Sequence, residues 1–100
     1  MSDSDSENFV IQCAPVVDIN SANALYENLK LVIEENSGVD IDAGDVDRVD
    51  GAILQIFVGF YREAKTLGLP VTWTKVSQAF YQACDLLGLC EVLELPAMES

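Results

Sequence analysis

Five aspartates at positions 40, 42, 45, 47 and 50 come nearest, by type and spacing, to a chemical site in this 100-residue chain. Carboxylate oxygens are ligands that hard divalent cations prefer, so such a run can in principle hold calcium or magnesium. A calcium loop needs Gly at its sixth position and Glu at its twelfth, and counting from Asp40 places Asp45 and Gly51 there. A solvated acidic turn explains the run more simply than a magnesium site does, and we predict no metal.

Nucleophilic catalysis has little support, because a Ser or Cys nucleophile usually needs a nearby base and the chain contains no His. Cys13, Cys84 and Cys90 are odd in number and lack CxxC spacing, which favours small core residues over disulfides, zinc ligands or a redox thiol. The chain also lacks a glycine-rich phosphate loop. We therefore predict no enzyme and no cofactor, with a small acid/base or thiol enzyme using Asp50 or Cys84 as the least favoured alternative.

The net charge of the chain limits the classes of molecule that it is expected to bind. The 17 acidic residues outnumber the 5 Lys and Arg, giving a formal net charge of -12. Such a field repels phosphate backbones and anionic lipid head groups, so we expect neither nucleic-acid binding nor direct membrane binding. A basic protein surface is the better electrostatic match, although solubility alone also explains the charge. The polar N-terminus and the lack of a long apolar run predict a cytoplasmic protein.

The elements that must position these residues alternate between strands and helices. Short β-branched segments predict strands at 9–13, 16–17, 39–43 and 70–74, and a last short strand or extended edge at 89–95. Apolar residues at helical spacing predict helices over about 21–35, over 51–67 and between Ser77 and Gly88. We expect one α/β domain at 8–97, with a parallel or mixed sheet of about four to five strands and about three helices, between a flexible acidic tail at 1–7 and a C-terminal tail at 98–100.

Helix ends and one helix face complete this prediction. Asn20 and Ser77 are expected to cap the first and third helices, and Gly38 and Gly68 to end the first and second. The 51–67 helix carries a second apolar stripe beside its main one. Burial in the core and contact with a partner explain that second stripe about equally well.

The order and spacing of several short motifs resemble the STAS domain, the fold of anti-sigma-factor antagonists and of the cytoplasmic part of sulphate transporters. The resemblance covers about residues 9–95 and looks closest to short bacterial STAS proteins encoded near chemotaxis genes. It is carried by the strand 39–43, the turn 46–50, the helix opening Gly51-Ala52-Ile53-Leu54-Gln55, the strand Val71-Thr72-Trp73, and the stretch from Ala79-Phe80 to Leu86-Leu87-Gly88-Leu89. It implies a STAS-like fold and a non-catalytic signalling adaptor.

In the STAS family that this chain resembles, four consecutive residues at the start of the corresponding helix usually read Asp, a phosphorylatable Ser or Thr, a small residue and Gly. Asp50 and Ala52 match, but Gly51 stands at the acceptor position and Ile53 replaces the Gly. The resemblance therefore implies docking at this turn without phosphorylation at the usual place. The implied partner-binding residues are Asp47, Arg48, Asp50, Gly51, Ala52, Ile53 and Leu54.

A structural role explains two of these residues equally well, because Asp50 can cap the helix and Gly51 can serve a permissive turn. The resemblance implies a regulatory partner, either a kinase-like anti-sigma factor or a chemotaxis-type protein, and leaves a homodimer open. A STAS subunit of a lipid-transport ABC complex is the alternative, since it resembles this chain at the same turn and differs mainly in its partner.

Overall fold

Five strands and three helices alternate along residues 8–96, the part of the chain that the computed structural model describes. In chain order they are β1 Phe9–Gln12, β2 Val16–Val17, α1 Ile19–Glu34, β3 Val39–Ala43, β4 Arg48–Val49, α2 Gly51–Leu67, β5 Val71–Val76 and α3 Gln78–Leu86. The predicted α/β fold and the number of helices are confirmed. The predicted tails at 1–7 and 98–100 lie outside the described residues.

The strands form two parallel sheets rather than one. In the larger sheet β3 lies between β1 and β5, while β2 pairs with β4 in a separate two-stranded sheet. The short strand β4 lies inside the segment that the sequence predicted as a turn. Parallel neighbours cannot be joined by a tight hairpin, so α1 and α2 serve as crossovers that carry the chain from one strand of the larger sheet to the next.

The core lies between the three-stranded sheet and the helices. Val39, Ile41 and Ala43 are fully buried on the helix-facing side of β3, as their alternation with aspartates predicted. The second apolar stripe of α2, formed by Leu54, Val58 and Tyr61, is buried as well, which settles its role in favour of the core. Three aromatic rings pack at the centre of this layer with ring centroids 5.5–6.0 Å apart, those of Phe57, Trp73 and Phe80.

The ends of α1 differ from the prediction. Asp18, rather than Asn20, caps the helix, because its carboxylate accepts a hydrogen bond of 3.0 Å from the Asn20 backbone amide. The helix ends at Glu34, and Asn36 takes the left-handed backbone conformation (φ 55°) that the prediction gave to Gly38. Gly38 is required for close packing instead, since a Cβ there would come within 2.8 Å of the Asn8 side chain.

Gly68 and Ser77 terminate and begin their helices as predicted. Gly68 has a φ of 74° at the end of α2, and the Ser77 hydroxyl accepts a hydrogen bond from the Phe80 amide at 3.0 Å. The predicted last strand at 89–95 is wrong. Local hydrogen bonds close helical turns there, including one of 3.0 Å from the Leu93 amide to the Leu89 carbonyl. A segment whose amides bond to carbonyls three to five residues back has none left for a strand ladder.

Candidate functional site

The turn before α2 is held from two sides by backbone hydrogen bonds. The amides of Asp47 and Arg48 both donate to the Pro15 carbonyl, at 2.7 and 3.0 Å, and the Asp50 amide donates to the Val17 carbonyl at 3.1 Å. These bonds attach the turn to β2. On the α3 side, the Ser77 hydroxyl donates to the carbonyl of the buried Val46 at 2.6 Å. The start of α2 is therefore positioned by both the N-terminal and the C-terminal part of the domain.

Asp50 caps α2 through its backbone. Its carbonyl accepts hydrogen bonds from the Ile53 and Leu54 amides, at 3.0 and 3.2 Å. Its carboxylate makes no capping hydrogen bond, so the side-chain cap that explained Asp50 from the sequence is absent. The carboxylate still stands at the positive end of the helix dipole, where a negative charge is favourable, and it is half-buried.

The seven predicted partner-binding residues divide by exposure. Ile53 and Leu54 have no exposed surface, so their side chains anchor the first turn of α2 in the core and have no surface to offer a partner. The remaining five are exposed or half-buried and form one stretch of surface at the turn and the helix start. They are Asp47, Arg48, Asp50, Gly51 and Ala52.

Two leucines that the sequence analysis did not select extend this surface. A Cβ placed on Gly51 would lie 3.6 Å from the Cδ1 atom of Leu87, which is 52% exposed, and the preceding Leu86 is 83% exposed. The sequence analysis predicted a third helix that reaches Gly88 and therefore includes Leu87. The helix instead ends at Leu86, so Leu87 leaves the helical register and faces out. We call these two leucines and the five turn residues the docking surface.

The charged groups of the docking surface have no ion-pair partner within residues 8–96, where the single ion pair joins Lys65 to Glu94. Asp47, Arg48 and Asp50 can therefore each engage a group of another molecule. In the same described part of the chain, no three acidic or sulfur side chains come together in a way that could hold a metal ion. The surface thus combines free charges of both signs with an exposed apolar pair.

Comparison with known proteins decides the family. The family described as "Mlab, STAS domain" matches residues 1–95, nearly the whole chain. The chain belongs to the STAS domain family. A relative of this STAS protein is the anti-sigma-B factor antagonist of Bacillus subtilis (strain 168), which is 26% identical over 87 residues, covering 87% of this chain and 80% of the relative. The resemblance predicted from the motifs is thereby confirmed at the level of the STAS domain and of an antagonist-like sequence.

The two buried cysteines of this STAS domain, Cys13 and Cys84, are poor nucleophiles. Burial, reinforced by the charge of Asp42, raises the pKa of Cys13 to about 11. Burial also raises the pKa of Cys84 to about 12, with a smaller contribution from Cys90. Because the thiolate is the reactive form, both groups are inert thiols at neutral pH. Among residues 8–96, no helix is both long enough and apolar enough to cross a membrane.

Proposed function

We propose that this STAS protein is a non-catalytic, anti-sigma-factor antagonist-like adaptor that binds a regulatory protein through the docking surface. The observation that carries the proposal is the proximity of Gly51 to Leu87, which joins the turn to the exposed leucine pair. An apolar centre with charged residues around it is the usual composition of a protein interface. The partner class is a kinase-like anti-sigma factor or a chemotaxis-type protein.

Gly51 makes the proposed interaction constitutive. A phosphorylated Ser or Thr would add a charge of roughly -1.5 to -2 and three acceptor oxygens beside Leu87, and Gly51 has no hydroxyl to accept the phosphate. The apolar centre of the docking surface therefore remains uncharged. Regulation by modification of this position is absent in the proposal, so partner binding depends on the concentrations of the two proteins.

A non-catalytic role is supported by the shape and chemistry around the turn. Two concavities on the described surface lie along α2 and beside α1, and neither includes any of the seven docking-surface residues. The thiol alternative would have to use Cys84, which is fully buried and has a strongly raised pKa. A thiol reaction at the turn would therefore lack an activated nucleophile.

The experiment is a pull-down from native cytosol with mass spectrometry, followed by isothermal titration of the captured partner. Gly51→Asp should weaken binding at least about tenfold, because an unpaired carboxylate beside Leu87 would be desolvated at the interface centre. Asn28→Asp is the matched control, since it adds the same charge at an exposed position on α1. Circular dichroism verifies that both variants fold.

A second pair of variants tests the apolar centre. The double substitution Leu86→Ala and Leu87→Ala should also weaken binding at least about tenfold. Leu31→Ala removes a leucine that is 41% exposed on α1 and should leave affinity unchanged. Unchanged affinity in a folded Gly51→Asp protein would mean that the turn is not the docking surface. Capture of only membrane-transport subunits would favour the lipid-transport ABC alternative.

A further inference from the structure

The two edges of the three-stranded sheet are built differently. The strand β5, at one edge, follows Pro70, contains Lys75 and carries a β-bulge where its register against β3 shifts between Ile41 and Asp42. A proline, a charged side chain and a bulge are three means by which proteins prevent an edge strand from pairing with another chain. The strand β1, at the other edge, has none of these features.

The backbone groups of β1 alternate between its two sides. The Phe9 amide donates to the Gly38 carbonyl at 3.1 Å, and the Cys13 amide donates toward β3 in the same way at 2.9 Å. The residues between them point the opposite way, so the N–H and C=O groups of Val10 and Gln12 lie along the open edge. Within residues 8–96, no strand, turn or loop forms a backbone hydrogen bond with this edge.

The side chains of β1 leave the edge uncharged. Residues 8–17 contain no charged side chain, in a chain whose net charge is -12. The side chain of Val10 is 71% exposed on the outer side of the sheet, away from the helices, and Gln12 is exposed on the same side. Phe9, Ile11 and Cys13 face the helices. A strand with free backbone groups, an exposed valine and no charge is open to pairing with another strand.

We propose that β1 pairs with β1 of a second copy of the chain, in the antiparallel direction, about a two-fold axis at Ile11. In this arrangement Val10 of each copy lies opposite Gln12 of the other. These are the residues whose N–H and C=O groups lie at the open edge, so the two pairs exchange four backbone hydrogen bonds. The two three-stranded sheets become one sheet of six strands, joined by a symmetric interface.

The strand β1 is complementary to itself in this register. Ile11 lies opposite Ile11 of the other copy, and Phe9 lies opposite Cys13, so the helix-facing side chains of both copies stay on one side of the joined sheet. A register shifted by one residue would place the helix-facing side chains of one copy opposite the outer side chains of the other. Because no docking-surface residue lies in β1, the proposal is independent of the regulatory partner proposed above, and the dimer has two docking surfaces.

Charge does not prevent this contact at physiological ionic strength. The acidic residues beside β1 on the outer face are Asp40 and Asp42, which lie on β3 opposite Val10 and Gln12. In the dimer, Asp40 of one copy and Asp42 of the other are three strand spacings apart, about 14 Å. The Debye length is about 8 Å at 0.15 M salt and about 30 Å at 0.01 M. The repulsion is therefore largely screened at physiological salt and strong at low salt, whereas a complex between opposite charges weakens as salt is added.

Sedimentation equilibrium of the full chain, from about 10 µM to about 1 mM, tests the association, which so short an interface makes weak. The wild type should be dimeric at the upper concentration in 0.15 M salt. Its dissociation constant should rise about threefold or more at 0.01 M salt.

Hydrogen exchange measured by NMR then locates the contact. The amides of Val10 and Gln12 should exchange about tenfold more slowly in concentrated protein than in dilute protein. Those of Phe9 and Cys13, which already donate hydrogen bonds toward β3, should be protected at both concentrations. Protection that alternates along β1 in this way is expected only if another strand pairs with the open edge.

Two matched lysine substitutions distinguish the two edges of the sheet. Val10 and Thr72 flank Asp40 on the outer face, one on β1 and the other on β5, and both are exposed. Val10→Lys should raise the dissociation constant about tenfold or more, although it reduces the net negative charge, because it places a charge at the pairing edge. Thr72→Lys changes the net charge equally and should alter the constant less than about twofold.

Gln12→Pro tests the backbone hydrogen bonds themselves. The Gln12 amide faces the open edge rather than β3, so proline leaves the pairing of β1 with β3 intact and removes two of the four hydrogen bonds of the dimer. The dissociation constant should rise about tenfold or more in a protein that circular dichroism shows to be folded.

Four results would overturn the proposal. They are a wild type that stays monomeric at about 1 mM, a dimer in which the Val10 and Gln12 amides are unprotected, unchanged dimerisation of a folded Val10→Lys protein, and equal weakening by Val10→Lys and Thr72→Lys. A monomer whose Val10 and Gln12 amides become protected only when the captured regulatory partner is added would assign the edge to a strand of that protein instead of a second copy.

Discussion

Truncation of two phenylalanines on neighbouring turns of α2 should distinguish the closed core from the trough, the open groove between α1 and α2 that Leu29 and Phe60 line. Phe57 is 1% exposed and packs against Trp73 and Phe80, with ring centroids 5.6 and 6.0 Å away. Phe→Ala in a core costs about 3–5 kcal/mol, a sum of lost transfer free energy and an energy for the cavity left behind. Phe57→Ala would leave an enclosed cavity and remove two aromatic pairs, each worth about 0.5–1.5 kcal/mol, so we expect about 5 kcal/mol.

Phe60→Ala should cost less, although the same atoms are removed. Phe60 lines the trough, so its truncation widens a space that is already open to water and creates no closed cavity. The loss of transfer free energy is nearly the same as for Phe57, but the free energy of forming a cavity is mostly absent. We therefore expect Phe60→Ala to cost about 3 kcal/mol. Leu29→Ala, at the base of the same trough, should fall near the low end of its range of about 2–5 kcal/mol for the same reason.

Urea denaturation followed by circular dichroism gives the two free energies of unfolding by linear extrapolation. Emission from Trp73, the only tryptophan, reports whether the native environment of its ring changes in Phe57→Ala. The free energy of unfolding of a domain of this size is about 5–15 kcal/mol, so the Phe57→Ala protein should be close to unfolded at 37 °C. A cost for Phe60→Ala equal to or above that of Phe57→Ala would refute the difference between core and trough. Melting of either variant within a few degrees of wild type would refute the burial itself.

Gly68→Ala should destabilise the protein by about 1–2 kcal/mol, because the φ of Gly68 is 74° and a residue with a Cβ is strained there. Gly59→Ala should stabilise the protein by about 0.4–1 kcal/mol, because a Cβ at Gly59 meets no other atom within 4 Å. The midpoints of urea denaturation measure both changes. Ellman's reagent should react slowly with the half-buried Cys90 in the native protein, and should reach all three cysteines only after denaturation. Rapid reaction of a second thiol in the native protein would contradict the burial of Cys13 and Cys84. The hydrogen bond from Lys65 lowers the pKa of Glu94. The stability that this carboxylate contributes is therefore fully present above the pKa of the unfolded state, and it is lost as pH falls through the pKa of the folded state. Glu94→Gln should therefore reduce the loss of stability as pH falls below the ordinary pKa of a glutamate, and an unchanged loss would exclude this linkage.

Most elements could be predicted from local pattern, and the errors have local causes. The helix α2 was correct at both ends, because its apolar periodicity is long and Gly68 ends it. The strand β4 was missed because only one of its two residues, Val49, is β-branched and aspartates flank the pair, whereas β2 consists of two valines. The segment 89–95 was misassigned although Leu89, Val92 and Leu93 stand at helical spacing, because so short a pattern fits either structure.

The candidate sites depended more on tertiary structure. The resemblance to the STAS family located the turn at 47–52, but the exposure of Leu86 and Leu87 follows from where α3 ends, which the sequence did not specify.

The order of folding follows from the way the two-stranded sheet is assembled. Its strands have two residues each, so their pairing must overcome about the same loop-closure entropy as the pairings of the larger sheet for fewer hydrogen bonds. We expect this sheet to form late and to open locally while the three-stranded sheet persists. A bound partner would then slow hydrogen exchange at the amides of Asp47, Arg48 and Asp50 far more than in β3. The docking surface would owe much of its rigidity to the protein that it binds.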